Sequence, residues 1–596
     1  MLDRLKTQNA RHGHKVAARL AREDGNITTL ALIMFVLMIS VGGLAVDLMR
    51  YEEIRTSLQQ SLDRCTLAGA SLTQEMDPET VCRDYVAKAG HTEDLTDVTV
   101  TEGLNFREVA ADGMAFEKPF FAHMVGIDNF DIPAGSIAEQ RISDIEIAMV
   151  LDISGSMVNT PSRIANLKTA GKEFVQSVLE SDAEQRTSIL IVPYNGQVNL
   201  GPTLRSKFNT TLHSGRAGVD CVDLPASVYA SSTMSRVSPM SVTAHADTYS
   251  TTSQASGFVA LNDSTATPAF ANRWCPTKSD GTAMVQNYVQ MPNNNIGTLQ
   301  SQIDGLTAIG ATSINAGMKW GLALLDPAAR SIYSELTPSV IPAVFAGRPF
   351  DYTLDSEPNP TSMKVIVLMT DGEHFAEERV NDAFKSGNAD IWRGNSDGNY
   401  SRLESTRIDI STPTKLCDSR PFWVPHLGVW HSRPWNGAAP SNSACYTTTI
   451  TTTTAGITRQ TWPALWVNFR LSYVAWQFYA RGMTVAGGNG AGKNAASPLS
   501  RAVHYDNMMG TLQTPGLFRT LTSTTTMDGQ LDAMCDRARD NNVIVFGIAF
   551  EAPANGKAVI RSCATDDSHY FETTGTELRT AFRAIASQIS QLRLTQ

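Results

Sequence analysis

A chain of 596 residues is longer than one compact domain and predicts about two to four of them. Hydrophobic residues make up 42%, enough for real cores, while charged residues at 18% fall below the soluble average. The net charge of −10 argues against nucleic acid as the main partner, because binding phosphates needs a basic surface.

The N-terminal tail, residues 1–26, carries Arg4, Lys6, Arg11, Lys15, Arg19 and Arg22. Residues 27–46 then run for twenty positions without a charge. A helix of that length crosses a hydrocarbon core of roughly 30 Å. The basic tail predicts a cytoplasmic N-terminus, with everything after Asp47 translocated. A cleaved signal peptide is the competing reading, but its apolar region spans only about 7–15 residues. The helical pattern also continues, with Leu44, Leu48, Tyr51, Ile54, Leu58, Leu62 and Cys65 forming one stripe. An uncleaved anchor is therefore expected, followed over 47–143 by the rest of this helix and a small β-rich unit.

From Asp144 the pattern alternates between strand and helix. Apolar runs at 145–151, 187–194, 364–370 and 543–550 read as buried strands, and 569–573 as a shorter one. Helical patterns lie between them and close the chain at 576–592. This predicts an α/β domain over 144–596, with a mostly parallel sheet and helices on both faces. Two stretches interrupt it: 200–294, rich in Ser, Thr and Asn, and 376–526, with seven of the nine tryptophans. Structureless loops of that length are improbable, so both are expected to be structured insertions on one rim of the sheet. The tryptophans are expected to form the second insertion's own core rather than an exposed recognition surface.

The eight cysteines pair off as neighbours in sequence: Cys65 with Cys82, Cys221 with Cys275, Cys417 with Cys445, and Cys535 with Cys563. An even, dispersed set of this kind suits disulfides in an oxidising compartment.

Three short segments carry the chemistry. The first predicted strand ends in Asp152, followed by Ser154 and Ser156; a turn over 310–317 contains Thr312; a later strand ends in Asp371. Acids and hydroxyls at the carboxyl ends of parallel strands face the crevice where open α/β sheets bind ligands. Oxygen donors of this type suit a hard divalent cation, with Mg²⁺ expected and Mn²⁺ or Ca²⁺ as alternatives. With so few charged ligands the ion stays electrophilic and favours an acidic group from a partner. Glu373 and His374 stand close by and read as solvated rim residues.

DxSxS, the GxT loop and the strand-end TDG, in that order, resemble the von Willebrand factor A domain and its metal ion-dependent adhesion site. The resemblance implies direct coordination by Ser154, Ser156 and Thr312, with Asp152 and Asp371 acting through water. It also implies a Rossmann-like fold for the core. The segment GNITTLALIMF…VGGLAVDLMR, then LQQSLDRCTLAGA, and the tail CDRARDNNVIVFGIAF…IRSCATDDSHYFET resemble the TadE/TadG-like pilus-assembly family. That resemblance implies a component of the tight-adherence (Flp) pilus machinery, anchored in the inner membrane with its bulk in the periplasm. Its partners would be other pilus or envelope components. Gly25 is followed five residues on by Leu30 and not by the Glu that prepilin peptidases of this system recognise. An anchoring or minor-subunit role therefore fits better than that of a trimmed, polymerised pilin.

An enzyme is not expected. The Gly-rich run from Gly487 to Lys493 nearly spells a phosphate-binding loop, but Asn494 replaces the required Ser or Thr and Pro498 follows shortly. No HExxH or GxSxG occurs. The alternatives to a pilus-assembly binding component are a surface adhesin or a metal-assisted hydrolase using the same site, with His374 as the one nearby base.

Overall fold

The computed structural model describes residues 26–71, 74, 76–102, 106–141, 144–159, 162–180, 182, 185–211, 218–244, 274–277, 283–352, 362–408, 419–438, 456–487 and 495–595. The basic tail, Gly25, Cys417, Cys445 and the Gly-rich residues 488–494 lie outside these. The chain divides into two compact units, Met1–Ile142 and Ser143–Gln596.

In the first unit, helix α1 (Asn26–Ala70) continues unbroken from the uncharged run. Among the described residues it is the one helix long and apolar enough to cross a membrane. Helix α2 (Pro78–Lys88) follows, then an antiparallel meander of β1 (Leu95–Glu102), β2 (Phe106–Glu117) and β3 (Phe130–Arg141). Leu58, Leu62 and Cys65 of α1 are buried with Val86, Val98, Val109 and Ile132, and Cys65 is disulfide-bonded to Cys82. The helical stripe does not hold throughout, since Leu48 is 59% exposed. Asp47 takes the inward position instead, accepting hydrogen bonds from the backbone N–H groups of Phe120, Phe121 and Ala122.

The second unit runs β4 (Asp144–Asp152), α3 (Ser162–Glu180), β5 (Thr187–Tyr194), β6 (Gln290–Asn293), α4 (Ile296–Gly305), α5 (Ile314–Leu325) and β7 (Ser362–Thr370). The second insertion contributes β8 (Asn388–Gly394), β9 (Tyr400–Leu403), β10 (Phe422–Val424), β11 (Val429–His431) and β12 (Ile457–Thr461). Then come α6 (Thr524–Asp540), β13 (Val543–Phe550), α7 (Ala554–Cys563), β14 (Tyr570–Thr573) and α8 (Glu577–Thr595).

The main sheet has six strands in the order β14-β13-β7-β4-β5-β6. All neighbours are parallel except β5 and β6. Residues 290–293 therefore belong to the sheet edge and not to the first insertion, which ends before them. The central strands are apolar on both sides because both faces are covered. Ile145, Ile147, Met149 and Leu151 pack towards α3, α4 and α8, while Ala148 and Val150 pack towards α5, α6 and α7. A disulfide joins Cys535 on α6 to Cys563 on α7, and another joins Cys221 to Cys275.

The second insertion builds its own five-stranded antiparallel sheet in the order β11-β10-β9-β8-β12. Trp392, Trp423, Trp430, Trp435, Trp462, Trp466 and Trp476 are all buried, so they serve as core. Trp462 and Trp466 stack with ring centroids 5.4 Å apart, an ordinary aromatic packing distance.

Candidate metal centre

The candidate residues meet at the carboxyl edge of the main sheet. Asp152 is the last residue of β4 and is fully buried. Its Oδ1 accepts the Ser154 backbone N–H at 2.7 Å, a local turn that folds the chain back over the strand end. Its Oδ2 accepts the Thr370 hydroxyl, from the end of β7, at 2.6 Å. The turn then aligns the two serines, whose hydroxyl oxygens lie 2.8 Å apart. Ser156 Oγ donates to Asp371 Oδ1 at 2.6 Å, closing a connection between residues 215 positions apart.

Thr312 arrives on a different loop. Gly310 has φ +90°, a left-handed conformation that suits glycine, and its carbonyl accepts the Gly155 N–H at 3.0 Å. The Ile309 N–H donates to the Ile153 carbonyl, and the Phe375 N–H donates to the Thr312 carbonyl. α5 follows this loop and packs closely on the strands. A Cβ on Gly317 would stand 2.6 Å from the Tyr194 ring, so a larger residue would push the helix and the Thr312 loop away. From where a Cβ on Gly372 would stand, Ser156 Oγ is 3.7 Å away and Thr312 Oγ1 is 3.8 Å away. All five candidates thus border one small region.

Sequence reasoning missed Arg163, on the first turn of α3. Its Nη1 donates to Asp371 Oδ2 at 2.8 Å and its Nε donates to Glu551 Oε2 at 2.8 Å. A basic residue at a helix start reads as solvated surface, and no motif marks it. Thr370 was missed as well, although its place just before Asp371 was the available signal.

Burial pushes the Asp152 carboxyl up to about 7, and the charge of Asp371 adds to that shift. Burial also raises Asp371, while Ser156 and Arg163 pull it back down. Two acids with elevated proton affinity, set among hydroxyls, form a place where a cation would replace a proton. The donor set is all oxygen, as hard divalent ions prefer. Among the described residues no group of three or more His, Cys, Asp or Glu could hold a metal, so the hydroxyls are essential to any such role.

His374 corrects the sequence reading. Its side chain is buried, not solvated, because the Phe375–Thr312 backbone bond folds this segment inward. Among the described residues neither ring nitrogen has a hydrogen-bond partner, and burial lowers its pKa to about 4. Glu373 is exposed, as a rim residue should be.

Residues 25–72 match the family described as putative Flp pilus-assembly TadE/G-like. This TadE/G-like segment takes in α1 and little beyond it. Among solved structures, the vWF domain of the type V pili tip protein Mfa5 from Porphyromonas gingivalis is similar at 13% identity and a TM-score of 0.29. The likeness covers 76% of this chain and 97% of that one. The pilus adhesin SpaC from Lactobacillus rhamnosus GG is similar at 8% identity and a TM-score of 0.26, over 83% of this chain and 34% of its own. The pilus adhesin RrgA from Streptococcus pneumoniae is similar at 10% identity and a TM-score of 0.28, over 83% of this chain and 49% of its own. This chain thus spans less than half the length of either adhesin. No curated protein matches the sequence.

Proposed function

We propose that this protein is a membrane-anchored component of Flp pilus assembly that binds an acidic group of a partner protein through a divalent cation. The domain would be of the von Willebrand A type. Its adhesion site would use Ser154, Ser156 and Thr312 as direct ligands and Asp152 and Asp371 through water. The observation that carries this reading is the meeting of three segments, from residues 152–156, 310–312 and 370–372, at one strand edge with oxygen donors only. A bound Mg²⁺ or Mn²⁺ would supply an electrophilic centre that accepts a carboxylate oxygen.

The TadE/G-like match over 25–72 supports the pilus context, and the apolar α1 supports an anchor. Inner-membrane placement with a cytoplasmic N-terminus belongs to the same proposal and rests on the basic tail. A binding role, not catalysis, is favoured because a hydrolase needs a base at the site. The enclosed His374 side chain is poorly placed to serve as one.

A bacterium lacking its own copy tests the proposal. Restoring the wild-type chain is expected to restore pili, while Ser156→Ala is expected to reach the inner membrane normally yet leave the cells without pili. Full restoration by Ser156→Ala contradicts a cation-dependent role. Release of the intact chain to the cell surface would favour the adhesin reading instead.

A further inference from the structure

The nitrogens of Arg163 are used unequally. Nη1 holds Asp371 and Nε holds Glu551, while the remaining nitrogen, Nη2, makes no hydrogen bond among the described residues and the side chain stays 20% exposed. Its position is set firmly. Glu551 has a backbone φ of +50°, uncommon for a residue with a side chain, and its N–H donates to the Thr573 carbonyl. The other oxygen of Glu551 accepts the Gly575 N–H at 3.0 Å. Two carboxylates therefore hold two of the three guanidinium nitrogens, Nε and Nη1, and fix the direction of the third.

A counter-ion serving only Asp371 would need none of this. A lysine would neutralise the charge, whereas a guanidinium clamped by two acids presents an N–H group in a fixed direction. Among the described residues Asp152, the other acid of the site, has only neutral hydrogen-bond donors, from Thr370 and Ser154. The positive charge is thus concentrated on one side of the site, next to the hydroxyl of Ser156.

We propose that Arg163 is a specificity-determining residue whose Nη2 donates to the partner's carboxylate as that group reaches the cation site. This rests on the proposed function and adds to it a second point of recognition supplied by the chain itself. A charge-assisted hydrogen bond of this kind favours an acid over a neutral amide or hydroxyl.

The test uses the full chain in detergent, with Mn²⁺ as the metal probe and acetate as the carboxylate probe. Electron paramagnetic resonance reads bound Mn²⁺, and broadening of the acetate proton line reads acetate beside it. Arg163→Gln is expected to bind Mn²⁺ as tightly as wild type or more tightly, because a positive charge next to Asp371 is gone. Its acetate affinity is expected to fall about tenfold or more. Arg163→Lys is expected to fall between the two. Equal acetate broadening in wild type and Arg163→Gln overturns the proposal. So does joint loss of Mn²⁺ and acetate, which would mark Arg163 as structural. A wild-type chain that binds no Mn²⁺ removes the underlying site reading and this inference together, a result readily told apart from the other two.

Discussion

Strands β4 and β7 lie side by side in the main sheet, and their two ends handle charge differently. At the amino ends, Asp144 pairs with Arg348 at 2.7 Å, and Glu146 forms a buried ion pair with Lys364 of β7. Arg348 also donates to the Ile145 carbonyl and to the Ser188 hydroxyl, while Lys364 donates to the Leu325 carbonyl. At the carboxyl ends, Arg163 pairs with Asp371 and Glu551, while Asp152 accepts from Ser154 and Thr370. Buried charges are costly unless paired, so the first end is built to be complete as it stands. The second end carries three acids around one arginine, an excess of negative charge that a bound cation would offset.

Removing one partner at the balanced end should cost the most. Lys364→Met leaves Glu146 buried without its cation and is expected to destabilise by about 3–5 kcal/mol in urea unfolding. The double replacement Lys364→Met with Glu146→Leu should recover most of that loss. A single-variant cost under ~1 kcal/mol would mean that the two ends are not so different.

The unbalanced end should show itself through pH. With metal chelated, Asp152 ionises at about 7 in the folded chain, against an ordinary value of 3.8. The folded state then holds its proton longer than the unfolded state does. Stability therefore falls as pH rises from about 4 to about 7 and levels off above that. Asp152→Asn removes this contribution, so its stability should fall less over the same range, with a difference on the order of 4 kcal/mol at pH 7. Parallel curves for the two proteins would contradict an uncompensated charge at 152.

The smallest effect concerns a neutral contact at the same end. The Tyr194 hydroxyl donates to the Met369 carbonyl at 3.0 Å, and both groups are buried. Tyr194→Phe is expected to cost about 1 kcal/mol and to leave metal binding unchanged, because no charge is altered. Loss of Mn²⁺ binding in Tyr194→Phe would show that the site depends on more than its oxygen donors.

The sequence made the main strands readable because their apolar runs are continuous, as in IEIAMVL and VIVFGIAF. The acids and hydroxyls were readable because Asp152, Ser154 and Ser156 are local to one turn. Long-range partners were not. Nothing in the spacing ties Arg163 to Asp371 and Glu551, which depends on how α3 packs, or Lys364 to Glu146, which depends on strand register. Edge strand β6 is only four residues long and sits in a polar stretch, so it carried no periodic signal. His374 looked like rim because it is polar and follows an acid, yet a single backbone bond turns it inward. Tryptophan burial in the second insertion was foreseeable from size and apolarity, whereas its strand order was not.

The most direct measurement of the central claim is thermal unfolding of the wild type, Asp152→Ala and Ser156→Ala, each with chelator and with added Mg²⁺ or Mn²⁺. A ligand at a hundred times its Kd stabilises the state that binds it by about 2.7 kcal/mol. The wild type is expected to unfold at a higher temperature with metal. Neither variant is expected to respond, and Asp152→Ala without metal should be as stable as wild type or slightly more so, because its repulsion with Asp371 is gone. An equal response to metal in all three proteins would contradict a cation site built from these residues.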